Sequence, residues 1–377
     1  MLTKESHRNY SEQQIKEIES DLKAGMTEEQ ALYCQRPCYT LAQRSQLRLA
    51  FSQKLTRKQI ALLDNTDFTG DQMYQIRIGL ADGIPIEKVR IYADQRFTDI
   101  QMHIIRSCIE ENVSSEYLKI IVNPEFTHEQ MFVIRDGIEK KLPVKKIELY
   151  AKPEFTSAQM NEIFEGIILN LSIHQIRIYA KPEFNSEQMT QIRWGLSGVN
   201  TSNDFSIFEA IRELTEEEVL VYARPEFTKY QMWKIRECFE HDLLKDEVSI
   251  IANPEFSPEQ MYVMEEAYLS GLTIKQVKLF ADPRLTPKQM DNCCHKLLLD
   301  ETEADITLYK EVALQYSLPD ELSSEYINAI KEGIPKEKLE LIAKSDTTPE
   351  QKMFLFHMVS SAKKRSNPHL QIKEKER

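Results

Sequence analysis

Arg48, Arg77, Arg106 and Arg135 stand 29 residues apart, and Arg193 and Arg236 fall on the same offset of later repeats. Lys331 extends the column in a looser stretch. Regularly spaced guanidinium groups can pair with carboxylates, because the planar fork matches a carboxylate with two parallel hydrogen bonds. They can instead face phosphates, as in helical-repeat RNA readers that devote one unit to each base. A second column favours the first chemistry. The Glu of a recurring "PEF" tripeptide, at Glu125, Glu154, Glu183, Glu226 and Glu255, keeps the same period, so Arg–Glu pairs tying neighbouring repeats together are expected. Phosphate recognition would need a basic groove, and a net charge of −12 argues against one.

Other reactive residues form no pattern. The chain has no Gly-rich phosphate loop, no H-E-x-x-H and no G-x-S-x-G. His103, His128, His174 and His241 fall at different repeat offsets. The reading is a non-enzymatic protein with no cofactor and no metal, since catalysis needs groups converging in a pocket. Of the cysteines, Cys34, Cys38, Cys108, Cys238, Cys293 and Cys294, none forms a C-x-x-C pair. Buried free thiols in a reducing compartment are expected, a zinc site with His295 being the alternative.

Binding chemistry is better placed. Counted from the Gln of each repeat, offset +2 carries Tyr74, His103, Phe132, Trp233 and Tyr262. Offset +6 is mostly acidic or polar, yet it holds Trp194, which marks that residue as an exposed anchor. The alternative for the +2 residues is sideways packing between adjacent units. Trp194 precedes a 14-residue break in the period, "SGVNTSNDFSIFEAIREL", which offers Asn200, Asn203, Phe205 and Phe208. Insertions in repeat proteins often map to the binding face; an extra helix that alters curvature is the plainer possibility.

The elements that position these residues are read from the period. Gln14, Gln43, Gln72, Gln101, Gln130, Gln159 and Gln188 are 29 residues apart, Gln231, Gln260 and Gln289 resume the interval, and Tyr326 and Gln351 continue it loosely. Offsets +1, +4 and +8 are apolar and line one helix face, as Met131, Ile134 and Ile138 do. In "PEFTHEQM", Thr127 and Gln130 form a capping box and Phe126 staples onto Met131, so the octapeptide begins a helix and is not a binding motif. Small residues at +7 (Ala50, Gly79, Cys108, Gly137, Gly166, Gly195, Cys238, Ala267, Gly333) suggest close backbone contact with a neighbouring helix. Gly, Asn, Asp or Lys at +11 marks the helix end. A second capping box follows at Thr27, Thr56, Ser172, Thr215 and Thr273 and opens a shorter helix, which the Pro at +23 terminates. Such pairs stack, giving an all-α fold: an α-solenoid of about twelve helix-pair repeats. The expected organisation is a lead at 1–9, regular repeats at 10–196, an insertion at 197–212, repeats at 213–359 that become irregular from 300, and a basic, disordered tail at 360–377.

Composition agrees with a soluble scaffold. Hydrophobic residues make up 41% of the chain, enough for a continuous core, and no apolar run approaches the ~20 residues of a membrane span. The first residues, "MLTKESHRNY", have no signal-peptide core, so a cytoplasmic location is expected.

The stretch "YAKPEFNSEQMTQIRWGL", Tyr179 to Leu196, resembles a helical repeat of about 29 residues found in proteins of Firmicutes phages and conjugative elements, including large polyvalent proteins. The resemblance covers nearly the whole chain. It implies a mobile-element origin and a role against host or rival defence machinery, such as inhibition of a CRISPR effector, with nucleic acid engaged only through that partner. It carries over no catalytic residues. The competing expectations are a nucleic-acid reader using the Arg column and an enzyme or small-ligand binder with a site in the superhelix groove.

Overall fold

The computed structural model describes residues 10–201, 208–299, 301–316, 318 and 320–366. Among these, twenty-three helices and one two-stranded hairpin are present, an all-α architecture. The chain divides into two compact units, Met1–Ile176 with Ala180–Pro182, and Arg177–Tyr179 with Glu183–Arg377.

In the first unit, long and short helices alternate: α1 (Glu12–Lys23), α2 (Glu28–Cys34), α3 (Leu41–Ser52), α4 (Arg57–Leu63), α5 (Gly70–Ala81), α6 (Ile86–Val89), α7 (Asp99–Glu110), α8 (Ser115–Ile121), α9 (His128–Glu139), α10 (Val144–Ile147) and α11 (Ser157–Ile168). Helix α12 (Ile173–Tyr179) ends in the second unit. Helices α3, α5, α7, α9 and α11 pack side by side in that order, and each of α4, α6, α8 and α10 lies against the long helix before it.

The second unit begins with α13 (Ser186–Ser197), strands β1 (Val199–Thr201) and β2 (Phe208–Ala210), and α14 (Glu216–Tyr222). It continues with α15 (Lys229–Glu240), α16 (Lys245–Ile251), α17 (Pro258–Leu269), α18 (Ile274–Phe280) and α19 (Pro287–Leu298). The last elements are α20 (Glu303–Tyr316), α21 (Asp320–Lys331), α22 (Lys336–Ala343) and α23 (Pro349–Ser366). Here α13, α15, α17 and α19 pack in sequence, and α21 packs on both α20 and α23.

Local chemistry sets the helix starts. Every long helix from α1 to α19 opens on a complete capping box whose third residue is the repeat Gln. The short helices α2, α4, α12, α14 and α18 open on the boxes at Thr27, Thr56, Ser172, Thr215 and Thr273. Helices α6 and α10 differ: they start after Pro85 and Pro143 with no side-chain cap. The ends follow the +11 pattern. Gly83, Asn112, Lys141 and Asp242, among others, have positive φ, and the next residue's N–H returns to the +7 carbonyl, as Leu142 does to Gly137 at 3.0 Å.

The repeat Gln also joins neighbouring repeats, which the sequence did not reveal. Its Oε1 accepts from the N-cap N–H while, from Gln43 to Gln289, its Nε2 donates forward to a carbonyl of a following turn. Gln188 reaches the Pro225 and Phe227 carbonyls at 3.0 and 2.6 Å, and Gln231 reaches those of Pro254 and Phe256 at 2.9 and 2.7 Å. The octapeptide is therefore a helix start at one end and a gripped turn at the other.

Several expectations are corrected. At Gly79, Gly137 and Gly195 the space is filled not by the backbone of a neighbouring helix but by the hydroxyls of Tyr92 and Tyr150, just past α6 and α10, and of Tyr222 at the end of α14. The register around α21 shifts. Gly333 has φ +78 and Ile334 N–H returns to the Ala329 carbonyl, so Gly333 is the +11 residue and Leu322, not Tyr326, holds the Gln position. Lys331 then leaves the Arg column. The shift arises because α20 runs for 14 residues where a short helix was expected. The described ends of the insertion are antiparallel strands pairing Val199 with Ala210 and Thr201 with Phe208, where an extra helix was the plainer expectation. Helix α23 continues to Ser366, past the expected start of a disordered tail at 360. No helix among the described residues is long and apolar enough to cross a membrane.

Candidate interaction surface

With offsets +1, +4 and +8 in the core and the repeat Gln between repeats, the Arg column was the first candidate for recognition. Its side chains instead lie between consecutive long helices. Arg48 pairs with Glu17 at 2.5 Å and Asp21 at 2.9 Å on α1. Arg77 donates to the Gln46 and Gln53 side chains of the preceding repeat at 2.8 and 2.7 Å. Arg106 reaches back to Gln75 at 3.3 Å and pairs with its own Glu110. Arg135 pairs with Glu111 at 2.7 Å and Glu139 at 2.8 Å, while Arg236 bonds Gln191 and Glu240. Arg193 is buried. The partners thus stand at +3, +10 and, for Asp21, +7 of the preceding repeat and +9 of the same one. The "PEF" Glu is not among these partners; Glu226, for instance, pairs with Arg224 in its own turn.

One rung is reversed. On α17 the Arg position holds Glu265, only 1% exposed, and it pairs with Lys234 of α15, itself 3% exposed. His241 Nδ1 stands 2.9 Å from the same carboxylate, and Lys234 also pairs with Glu237 at 2.8 Å. Lys234 occupies +3 and His241 +10, so both charges of the rung have exchanged helices. The signal was legible as Glu in an Arg column with a Lys 31 residues before it.

The aromatic +2 residues are exposed: Tyr74, Phe132, Trp233 and Tyr262 at 41–52%, and His103 with them. In the first unit Tyr74, His103 and Phe132 stand on the consecutive helices α5, α7 and α9. In the second, Trp233 and Tyr262 stand on α15 and α17, with the Lys234 ammonium 5.9 and 4.6 Å from their ring centroids. Trp194 is less exposed than its offset suggests. It is half-buried, and the Arg236 guanidinium sits 5.7 Å over its ring. Asn203 and Phe205 lie outside the described residues; Asn200 and Phe208 lie on the paired strands.

A cleft of about 450 Å³ missed by sequence reasoning opens beside α2 and α4, lined by Gln30, Tyr33, Phe51, Arg57 and Ile60. Burial and the Asp64 carboxylate, which accepts the Tyr33 hydroxyl, push that phenol up to about 12. Cys34, Cys108, Cys238, Cys293 and Cys294 are buried free thiols and Cys38 is exposed. Burial pushes the Cys108 thiol up to about 11 and Cys34 to about 12, the opposite of an activated nucleophile. No group of three potential metal ligands, the Cys293–His295 region included, occurs among the described residues. In comparisons with known proteins, no family model and no characterised protein matches the chain.

Proposed function

We infer that the chain is a non-enzymatic, protein-binding α-solenoid of about twelve helix-pair units. One observation carries the reading: repeated polar columns are occupied in joining helices, whereas Tyr74, Phe132, Trp233 and Tyr262 remain exposed at a single helical offset. Aromatic side chains supply large, rigid contact area and dominate protein interfaces. The Arg column, engaged with carboxylates and amides, offers no row of free guanidinium groups for phosphates, which weighs against the nucleic-acid alternative. The resemblance to mobile-element repeats makes a host defence protein the partner class of choice, with inhibition of that protein as the outcome.

The test is affinity capture from bacterial lysate with the full chain, a Tyr74→Ala/Phe132→Ala form and a Trp233→Ala/Tyr262→Ala form. The expected result is a protein recovered by the wild type and lost from at least one variant. An unchanged set of recovered proteins removes the aromatic row as the site. Restriction of an incoming phage by a CRISPR-competent host, undiminished when the chain is expressed, removes the counter-defence role.

A further inference from the structure

The face of α5, α7 and α9 carries enough chemistry to specify a partner class. Tyr74, His103 and Phe132 are exposed at one helical position on three helices that pack side by side. Packed helix axes stand about 8–10 Å apart, so these side chains form a row at that spacing. Carboxylates flank the row. Asp71 and Asp99 stand in the first turns at −1 and −2, and Asp82 and Asp136 stand at +10 and +6. From −1 to +10 is about 16 Å along a helix rising 1.5 Å per residue. Glu110, Glu111 and Glu139 on the same side are paired with Arg106 and Arg135. By contrast, Asp71, Asp82, Asp99 and Asp136 make no ion pair within 4.0 Å among the described residues.

We propose that this face docks a basic amphipathic α-helix of a protein partner, lying along the aromatic row across the three long helices. Its apolar stripe covers Tyr74 and Phe132, and its Lys and Arg residues reach the two carboxylate rims. The proposal rests on the protein-binding reading above and adds the partner's charge and shape. A helix about 10–12 Å across fits between Asp71 and Asp82, about 16 Å apart along α5, and its i and i+7 side chains, about 10.5 Å apart, match the row. Partner cations over the exposed rings gain a further cation–π attraction. Nucleic acid and anionic lipid meet the same four carboxylates and are repelled.

The probe is a synthetic peptide of three Leu-Lys-Lys-Ala-Ala-Lys-Lys heptads, with a counterpart carrying Glu for every Lys, titrated against the full chain by fluorescence anisotropy. The Lys peptide is expected to bind and the Glu peptide not. Tyr74→Ala/Phe132→Ala is expected to weaken binding roughly tenfold or more. Asp82→Asn/Asp136→Asn is expected to weaken it several-fold, while Glu28→Gln/Glu29→Gln on α2, with the same change in net charge, stays within about twofold. Thermal melts check the fold of each variant, and Phe132→Leu, which keeps an apolar side chain, is expected to retain most binding. Equal weakening by the two neutralised pairs, or full binding by Tyr74→Ala/Phe132→Ala, overturns the docking site. Equal binding of the Glu peptide overturns the basic-helix partner while leaving protein binding itself standing.

Discussion

The Tyr150 hydroxyl occupies the space above Gly137 where a side chain would begin; a Cβ there would fall inside the 3.0 Å that real Cβ contacts respect. The hydroxyl makes a long hydrogen bond, 3.5 Å, to the Val133 carbonyl on the same helix. The pairing is a rule of the chain. Gly79 goes with Tyr92 and Gly195 with Tyr222, whereas Ala50, Cys108, Cys238 and Ala267 go with Leu63, Ile121, Ile251 and Phe280 at the matching offset. The glycine, which costs about 1 kcal/mol in a helix relative to Ala, is required by the phenol of its own repeat.

Gly137→Ala is therefore expected to destabilise by about 1–3 kcal/mol despite its better helix propensity, because the added methyl overpacks against the hydroxyl. Adding Tyr150→Phe removes the hydroxyl and is expected to recover most of that loss. Urea denaturation of the two single variants and the double one measures the coupling. Additive effects would mean that the glycine serves something other than the phenol.

The repeat Gln has two jobs, and only one of them tolerates Glu. Gln130 Oε1 accepts from the Thr127 N–H at 2.6 Å, while its Nε2 donates to the Pro153 carbonyl at 3.2 Å and to that of Phe155. A carboxylate preserves the first contact and sets negative charge against two carbonyls in the second. Gln130→Glu is expected to cost about 2–4 kcal/mol. Gln175 on α12 has the capping role, and α14 already uses Glu218 there. Gln175→Glu is thus expected to stay within about 0.5 kcal/mol. Similar melting shifts for both variants would refute the forward grip.

What the sequence disclosed follows the range of the interaction. Capping boxes and left-handed ends are settled by residues a few positions apart, so Thr127, Gln130 and Lys141 could be read directly. Features set by distant partners could not. Trp194 looks exposed from its offset, but Arg236 from the next long helix covers it. The Val199–Ala210 pairing is non-local and has no capping signature. Helix α21 lacks the Gln, which let Tyr326 pass for the marker. The sequence left the +2 aromatics between solvent and sideways packing, because their exposure depends on the neighbouring helix, and it hid the charge partners of the Arg column, because +3 and +10 mix Gln with Glu.

Acid sensitivity is built into the turn between α18 and α19, which Lys310 of α20 meets. Arg284 donates to the Asp282 carboxylate at 2.9 and 2.8 Å, Lys310 stands 3.0 Å away, and these contacts hold that carboxyl well below the ordinary aspartate value of 3.8. A depressed folded-state pKa contributes stability that is complete above the unfolded value and is lost as pH falls through the folded one. The expected outcome is a melting temperature that drops as pH falls below about 4, with Asp282→Asn lower at neutral pH and flatter across that window. Parallel curves for the two proteins would show that another group controls the acid limb.

The reversed rung offers the sharpest test of how the long helices are joined. Glu265 and Lys234 are almost fully buried, and with Glu237 and His241 they satisfy one another between α15 and α17. Removing Glu265 leaves the buried Lys234 ammonium with Glu237 as its remaining carboxylate partner, so Glu265→Met is expected to cost about 3 kcal/mol. Replacing both is a different matter, since two apolar side chains bring no desolvation penalty. Lys234→Met/Glu265→Met is expected to be more stable than Glu265→Met alone, because a buried pair often contributes less than well-packed apolar residues. The arrangement then serves to make α15 and α17 a matched pair: Lys234 repels an Arg at the +5 position, and Glu265 repels the Glu that occupies +3 on α1. Chemical denaturation of the wild type, Glu265→Met, Lys234→Met and the double variant decides it. A double variant as unstable as the sum of its single changes would show that the charges act independently, not as one rung.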